Sequence, residues 1–243
     1  MSEILKENYT SVQQEIVKIC QSCGRNPKDV KLMLVSKTVP VDRIQETIDL
    51  GHRLFGENKV QELTEKRAQL PDPNVEFHFI GHLQTNKVKK CLEAASLIHS
   101  VDRMSLAEEL DKQLKKLNKT MDILIQVNTS AEESKFGVSP ESALSLVKEV
   151  APLTTLNIKG LMTLAKFSSQ EEEVRPCFKL LKQLAETVRA ADIPGVSMDE
   201  LSMGMSSDYK IAIEEGSTLV RVGTAIFGER KYSDSYYWPE NKS

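Results

Sequence analysis

Eight short apolar runs, alternating with longer segments of helical period, constrain this chain more than any other feature. They lie near residues 31–36, 53–56, 76–80, 96–100, 122–127, 156–161, 199–203 and 218–222. Several are unbroken, such as Ile123-Leu124-Ile125. Unbroken runs mark parallel strands covered on both faces, since one-sided strands alternate apolar with polar residues. Between the runs lie amphipathic helical patterns. Ser105 and Glu108 have the spacing of a capping box, followed by Leu106, Leu110, Leu114 and Leu117 on one face. Ser139-Pro140 reads as another helix start, with Ala143, Leu144, Val147 and Val150 facing inward.

Eight such units in 243 residues match a single (β/α)8 TIM-type barrel. An open doubly wound sheet is the runner-up, because periodicity does not give strand order. One irregularity stands out. After the eighth run only a polar stretch follows, from Glu229 to Ser243, yet a helix precedes the first run, with Ile4, Leu5, Val12, Ile16 and Val17 spaced for an apolar stripe. The expectation is that this N-terminal helix closes the outer ring, giving a barrel over 1–230 and a polar C-terminal tail over 231–243. No Gly/Ser-rich or Pro-rich linker divides the chain.

Composition excludes several functions. Apolar residues make up 40% and charged residues 28% of the chain, and the net charge is −3, so no basic footprint suggests nucleic acid or anionic lipid. The N-terminus carries Glu3, Lys6 and Glu7 without a long apolar segment, which argues against a signal peptide or membrane anchor and for a cytoplasmic protein. Four cysteines are too few and scattered for a disulfide framework. Cys20 and Cys23 form a C-x-x-C pair, but it ends a helical pattern and has no second ligand pair, so it reads as incidental thiols.

In such barrels the chemistry sits at the C-terminal strand ends. Here these are Lys37, Glu57-Asn58, Gly81-His82, Asp102, Asn128-Thr129, Thr163, Gly204-Met205-Ser206 and Gly223-Thr224. Lys37 is the one amine among them, placed where a barrel enzyme would present a nucleophile to a carbonyl. The loops after strands seven and eight commonly hold a phosphate on backbone N–H groups. Gly204 to Asp208 offers a glycine turn with hydroxyls, and Gly223-Thr224 offers close backbone approach and a further hydroxyl. Serines that simply cap the helix around 209–215 explain the first of these equally well. Arg221 interrupts the core of the last strand, and a buried guanidinium needs a partner. That partner is either a ligand atom or a structural carboxylate, with Glu57 the candidate. His78 and His82 have a metal-binding spacing only on a helix, whereas Phe77-His78-Phe79-Ile80 reads as a strand.

Taken in order, these segments resemble the pyridoxal phosphate homeostasis protein family, whose barrel is that of the alanine racemase N-terminal domain. The resemblance is carried by Leu34-Val35-Ser36-Lys37-Thr38, Phe55-Gly56-Glu57-Asn58, Phe79-Ile80-Gly81-His82-Leu83-Gln84 and Gln126-Val127-Asn128-Thr129. It continues through Glu133-Ser134-Lys135, Gly160-Leu161-Met162, Leu201-Ser202-Met203-Gly204-Met205-Ser206 and Val220 to Gly228. It implies that Lys37 holds pyridoxal phosphate (PLP) as a Schiff base. It further implies that Ser206, Gly223 and Thr224 cradle the phosphate, that Arg221 faces the pyridine nitrogen, and that Asn58 lies beside the cofactor. No residue is singled out as catalytic and no metal is implied.

An arginine at the ring nitrogen cannot accept its proton, so the ring stays unprotonated and is a poor electron sink. The racemases also use a tyrosine from a further β domain as second base, and the 15 residues after Gly228 are too few to supply one. The expected role is therefore intracellular PLP homeostasis (holding, buffering or delivering the cofactor), with PLP-dependent apoenzymes as partners and a monomeric chain. Two alternatives stand beside it. One is a PLP-dependent amino-acid racemase or lyase using Lys37 as sole base; the other is a cofactor-free, aldolase-type barrel.

Overall fold

The computed structural model describes residues 2–229. Its elements run α1 (Glu3–Ser22), β1 (Lys31–Val35), α2 (Val41–Asp49), β2 (Leu54–Glu57), α3 (Val60–Gln69), β3 (Glu76–Phe79), α4 (Val88–Leu92) and β4 (Leu97–Val101). They continue with α5 (Met104–Leu117), β5 (Met121–Gln126), α6 (Ala143–Val150), β6 (Leu156–Met162), α7 (Glu171–Ala190), β7 (Val196–Met205), α8 (Tyr209–Glu214), β8 (Leu219–Val222) and α9 (Thr224–Phe227). All eight expected strands form, and they close in sequence order into a parallel barrel. Closure rests on β1 pairing with β8, with Met33 beside Arg221 and Leu34 beside Val222. That pairing decides for the barrel over the open sheet.

Most of the apolar core lies between the strand ring and the helices. It takes one face from each strand, as with Leu34, Phe55, Phe77, Ile98, Ile123 and Ile125, and the inner face of the helices. Filling both faces of a parallel strand is what produces its unbroken apolar run. α1 packs against α8, α9 and α2, so it fills the seam between the last and first outer helices, as expected. Leu5, Tyr9, Val12, Ile16, Ile19 and Cys20 form its buried face. Ile4 and Val17, read as part of the stripe, are exposed instead; the buried set recurs at spacings of three and four, which leaves both on the solvent side.

Three smaller expectations change. α5 starts at Met104 with Arg103 as N-cap and no side-chain cap bond. Ser105 and Glu108 therefore sit inside the helix, as its second and fifth residues, rather than forming a capping box, and Leu117, the last helical residue, is exposed. Pro140 opens a 3-10 turn before α6, whose buried face uses Leu146 where Leu144 was expected. Among the described residues no helix is long and apolar enough to cross a membrane. The expected tail over 231–243 lies outside the described residues.

Candidate functional site

β1, β7 and β8 are consecutive around the closed wall, so the loops that leave their C-terminal ends converge on one arc of the rim. Lys37 stands two residues past β1, in a turn, and is half-buried. Gly223 and Thr224 follow β8 directly and Ser206 follows β7. Ser206 Oγ accepts the backbone N–H groups of Gly223 and Ala225 at 3.1 and 3.4 Å. The hydroxyl thus ties the strand-seven loop to the first turn of α9, and does not cap α8 as the sequence allowed. The α8 N-cap is Asp208, and its buried carboxylate accepts the Met205 N–H.

Gly223 leans against the end of β1. A Cβ there would meet Val35 O at 3.1 Å and Val35 Cβ at 3.3 Å, so a side chain would push the strand-eight loop away from the lysine turn. Asn58 follows β2 on the other side of β1 and is half-buried. The loop after β3 presses on it, since a Cβ on Gly81 would lie 2.0 Å from Asn58 O. A cavity of about 430 Å³ opens between α1, the start of α8 and the loops after β7 and β8, lined by Asn8, Ser11, Glu15, Ser206, Tyr209 and Ala225. α1 therefore walls the outer side of the Ser206 loop as well as closing the ring.

Arg221 is 3% exposed. Its Nη1 donates to Ser202 Oγ at 2.6 Å and its Nη2 donates to the Thr163 carbonyl at 2.8 Å. The expected alternative, an ion pair with Glu57, does not form: among the described residues no carboxylate lies within ion-pair distance of this guanidinium. Burial pulls the Arg221 pKa down to about 10, and the field of nearby Asp208 opposes the fall. Two of its five N–H donors are engaged by these protein oxygens.

Glu57 has other partners, which the sequence did not reveal. Its Oε1 accepts the Ser36 hydroxyl at 2.6 Å and the Lys66 ammonium at 2.8 Å. Lys66 also pairs with Glu62 and donates to the Ser36 carbonyl, while Glu62 Oε1 accepts the Thr38 N–H. Ser36 and Thr38 are the two neighbours of Lys37, so this buried cluster clamps its turn from both sides. The clamp matters because Thr38 holds a φ of +63°, costly for a β-branched residue and kept only where surroundings enforce it. Burial pushes the Glu57 carboxyl up to about 7, against the lowering field of Lys66.

The remaining candidates separate. His78 Nδ1 meets His99 Nε2 at 2.9 Å inside the barrel, whereas His82 stacks on Phe136 at the rim, ring centroids 3.8 Å apart. Thr129 and Thr163 share a hydrogen bond of 2.8 Å. Asp102 pairs with Arg103. Cys20 is buried in α1 and Cys23 is exposed, both as free thiols.

Known proteins place this arrangement. The family model "Alanine racemase, N-terminal domain" matches residues 8–231. The chain is 44% identical over 226 residues to the pyridoxal phosphate homeostasis protein of Aquifex aeolicus, covering 93% of this chain and 98% of that one. It is 39% identical over 232 residues to the protein of the same name in Escherichia coli K12, covering 94% and 98%. Among solved structures it is similar to PipY of Synechococcus elongatus PCC7942 with PLP bound, with a TM-score of 0.77, 35% identity, and 88% of this chain and all of that chain covered. With an ordered match over nearly its whole length, and the strand-end segments assembled on one rim, the chain belongs to the pyridoxal phosphate homeostasis protein family, built on the alanine racemase N-terminal barrel.

Proposed function

We propose that this chain binds PLP, held as a Schiff base on Lys37, and serves intracellular PLP homeostasis by holding, buffering or delivering the cofactor without a dedicated reaction. The observation that carries the reading is Arg221, a buried guanidinium with spare donors and no carboxylate partner among the described residues. It lies on β8, between the strand that leads to Lys37 and the strand that leads to Ser206. The name shared by relatives about 40% identical and the PLP-bound state of PipY support it.

When bound, PLP supplies an aldehyde and an electron-withdrawing pyridine ring. The chain's own residues divide the work of holding it. Lys37 Nζ provides the amine for the aldehyde carbon. Ser206, Gly223 and Thr224 gather a hydroxyl pair and closely packed backbone at the start of α9 for the phosphate. Arg221 donates toward the ring nitrogen and has no lone pair to take a proton from it. Asn58 borders the cofactor from the β2 side. The same reading takes 1–230 as the barrel domain and 231–243 as a polar tail. It makes the protein a cytoplasmic monomer whose partners are PLP and PLP-dependent apoenzymes, with no nucleic-acid or membrane partner.

The test is direct. Purified protein given PLP should gain a visible absorbance band, and borohydride should fix the cofactor to the peptide carrying Lys37, read by mass spectrometry. Lys37→Ala should lose both. A Lys37→Ala protein that still fixes the cofactor, or a wild-type protein that never acquires the band, overturns the proposal.

A further inference from the structure

His99 on β4 and Ser202 on β7 are three strands apart around the wall, so the 2.9 Å contact between His99 Nδ1 and Ser202 Oγ crosses the barrel interior. It is the middle of a longer chain. Arg221 Nη1 donates to Ser202 Oγ at 2.6 Å, and His99 Nε2 meets His78 Nδ1 at 2.9 Å. His78 Nε2 then faces Glu76 Oε2 at 3.7 Å. Small barrels ordinarily fill this space with branched aliphatics. Here His99 and Ser202 are wholly buried, and His78 and Arg221 nearly so. Glu76, at the N-terminal end of β3, is exposed.

Donor counting fixes the direction of every link. Arg221 can only donate, so Ser202 Oγ is an acceptor there and keeps one proton to give. Its hydrogen-bond partners are Arg221 and His99, and an arginine accepts nothing, so that proton goes to His99 Nδ1. His99 must then carry its own proton on Nε2 and donate it to His78 Nδ1. His78 in turn carries its proton on Nε2, pointed at the Glu76 carboxylate. The reverse order fails at both ends: it strands the Ser202 proton and turns a bare His78 nitrogen toward a carboxylate. Burial, with the fields of His78 and Arg221, holds the His99 pKa well below its usual value, so the ring stays neutral. The nearby His78 ring draws the Glu76 carboxyl below the usual range despite partial burial, with Lys31 adding to the pull. The other ionisable groups near the two ends are Asp208 beside Arg221 and Glu200, paired with Lys31, at the N-terminal mouth.

We propose that Ser202, His99 and His78 form a one-directional hydrogen-bond relay that starts at Arg221 and ends with the His78 Nε2–H facing Glu76, and that they are positioning residues which hold the Arg221 guanidinium on the ring nitrogen of the cofactor. Hydrogen bonds in series polarise one another, and the field of the Glu76 carboxylate, 3.7 Å from His78 Nε2, acts in the same direction, strengthening Ser202 as acceptor near the other mouth. The positioning role rests on the PLP reading given above; the direction of the relay does not.

Two measurements separate the two claims. Nitrogen-15 NMR of the histidine rings in cofactor-free protein reads the tautomers, and should find both His99 and His78 protonated on Nε2 and bare on Nδ1. A proton on Nδ1 of either ring overturns the relay whatever the cofactor does. In PLP-loaded protein, Ser202→Ala releases Arg221 from its anchor, and an arginine that no longer faces the ring nitrogen lets that nitrogen take a proton more readily. The pH midpoint of the visible band should therefore move upward by on the order of one pH unit, a tenfold change in proton affinity. A variant that only loosened packing would lower the melting temperature and leave the midpoint in place, which overturns the positioning role. If wild-type protein takes up no PLP, the binding reading fails while the ring tautomers still decide the relay.

Discussion

Glu57, Glu62 and Lys66 put two carboxylates and one ammonium where water does not reach, with side chains 0, 4 and 6% exposed. One oxygen of each carboxylate, Oε2 in both, has no hydrogen-bond partner. Burial disfavours the charged form of a carboxyl, and it raises the Glu57 pKa to about 7 against the field of Lys66, with the smaller field of Glu62 adding to the rise. The sign follows from linkage. A carboxyl with a folded pKa above its unfolded one favours folding fully below about 4.5, and loses that contribution as pH rises through about 7. His52, pulled down to about 4 by burial, acts oppositely, because its contribution is present above the ordinary histidine pKa and is lost as pH falls toward 4. The comparison must therefore be differential. Urea unfolding of wild type and Glu57→Gln at pH 5 and pH 8 should show the variant gaining on wild type at the higher pH, by on the order of 1–3 kcal/mol. An unchanged difference across that range would remove the proton from the cluster. Lys66→Met, which leaves both carboxylates uncompensated, should cost about 3–5 kcal/mol at neutral pH. It should also lower borohydride trapping at Lys37 more than the stability loss explains, through release of the Ser36–Thr38 turn. None of this was legible in the sequence. Lys66 and Glu62 look there like the solvated face of a helix, and only the approach of α3 to the end of β1 turns them into the support of Lys37.

α1 shows which parts of an element local pattern settles. Its existence and its place in the outer ring follow from apolar periodicity and from the shortage of helix after β8, whose only successor among the described residues is the one-turn α9. Its exact face does not follow, because Ile4 and Val17 are as apolar as Leu5 and Ile16 and only docking against α8 and α9 chooses between them. Ile16→Ala should lose about 2–4 kcal/mol in chemical denaturation, the cost of a methylene-rich side chain removed from a close-packed site. Ile4→Ala, on the exposed side, should stay within about 0.5 kcal/mol of wild type. Equal losses at the two positions would mean that α1 is docked in a different rotation, and with it the wall of the cavity beside Ser206. The capping signals were less informative than the apolar ones. Ser105 and Ser206 both have the chemistry of an N-cap, but Ser105 lies within α5 while Ser206 bonds across to the strand-eight loop, because a hydroxyl goes to whichever orphan N–H the tertiary structure brings nearest.

At the scale of the whole molecule, the barrel was legible because eight buried strands leave eight continuous runs, and the rim residues followed because the fold assigns chemistry to strand ends. Closure was not, since it depends on β1 finding β8 across nearly the full chain. Nor was the polar interior: the run holding His99 reads as one more buried strand, and the partners of Arg221 come from segments 19 and 58 residues away in sequence. Closure has a chemical consequence for the proposed cofactor. It brings a guanidinium, and no acid among the described residues within ion-pair distance of it, to the place proposed for the ring nitrogen. Without a carboxylate to keep that nitrogen protonated, the ring withdraws electrons weakly from a bound amino acid, and loss of its α-proton gains little from the protein. PLP-loaded protein incubated with L-alanine in deuterated water should therefore exchange the α-proton within about tenfold of free PLP at the same concentration, a difference of ~1.4 kcal/mol in barrier, when followed by proton NMR. Rapid exchange accompanied by the appearance of D-alanine on chiral chromatography would sink the holding role and establish Lys37 as the sole base of a racemase. Slow exchange, with cofactor that leaves intact on mixing with a PLP-dependent apoenzyme, is the outcome that this arrangement of charges favours.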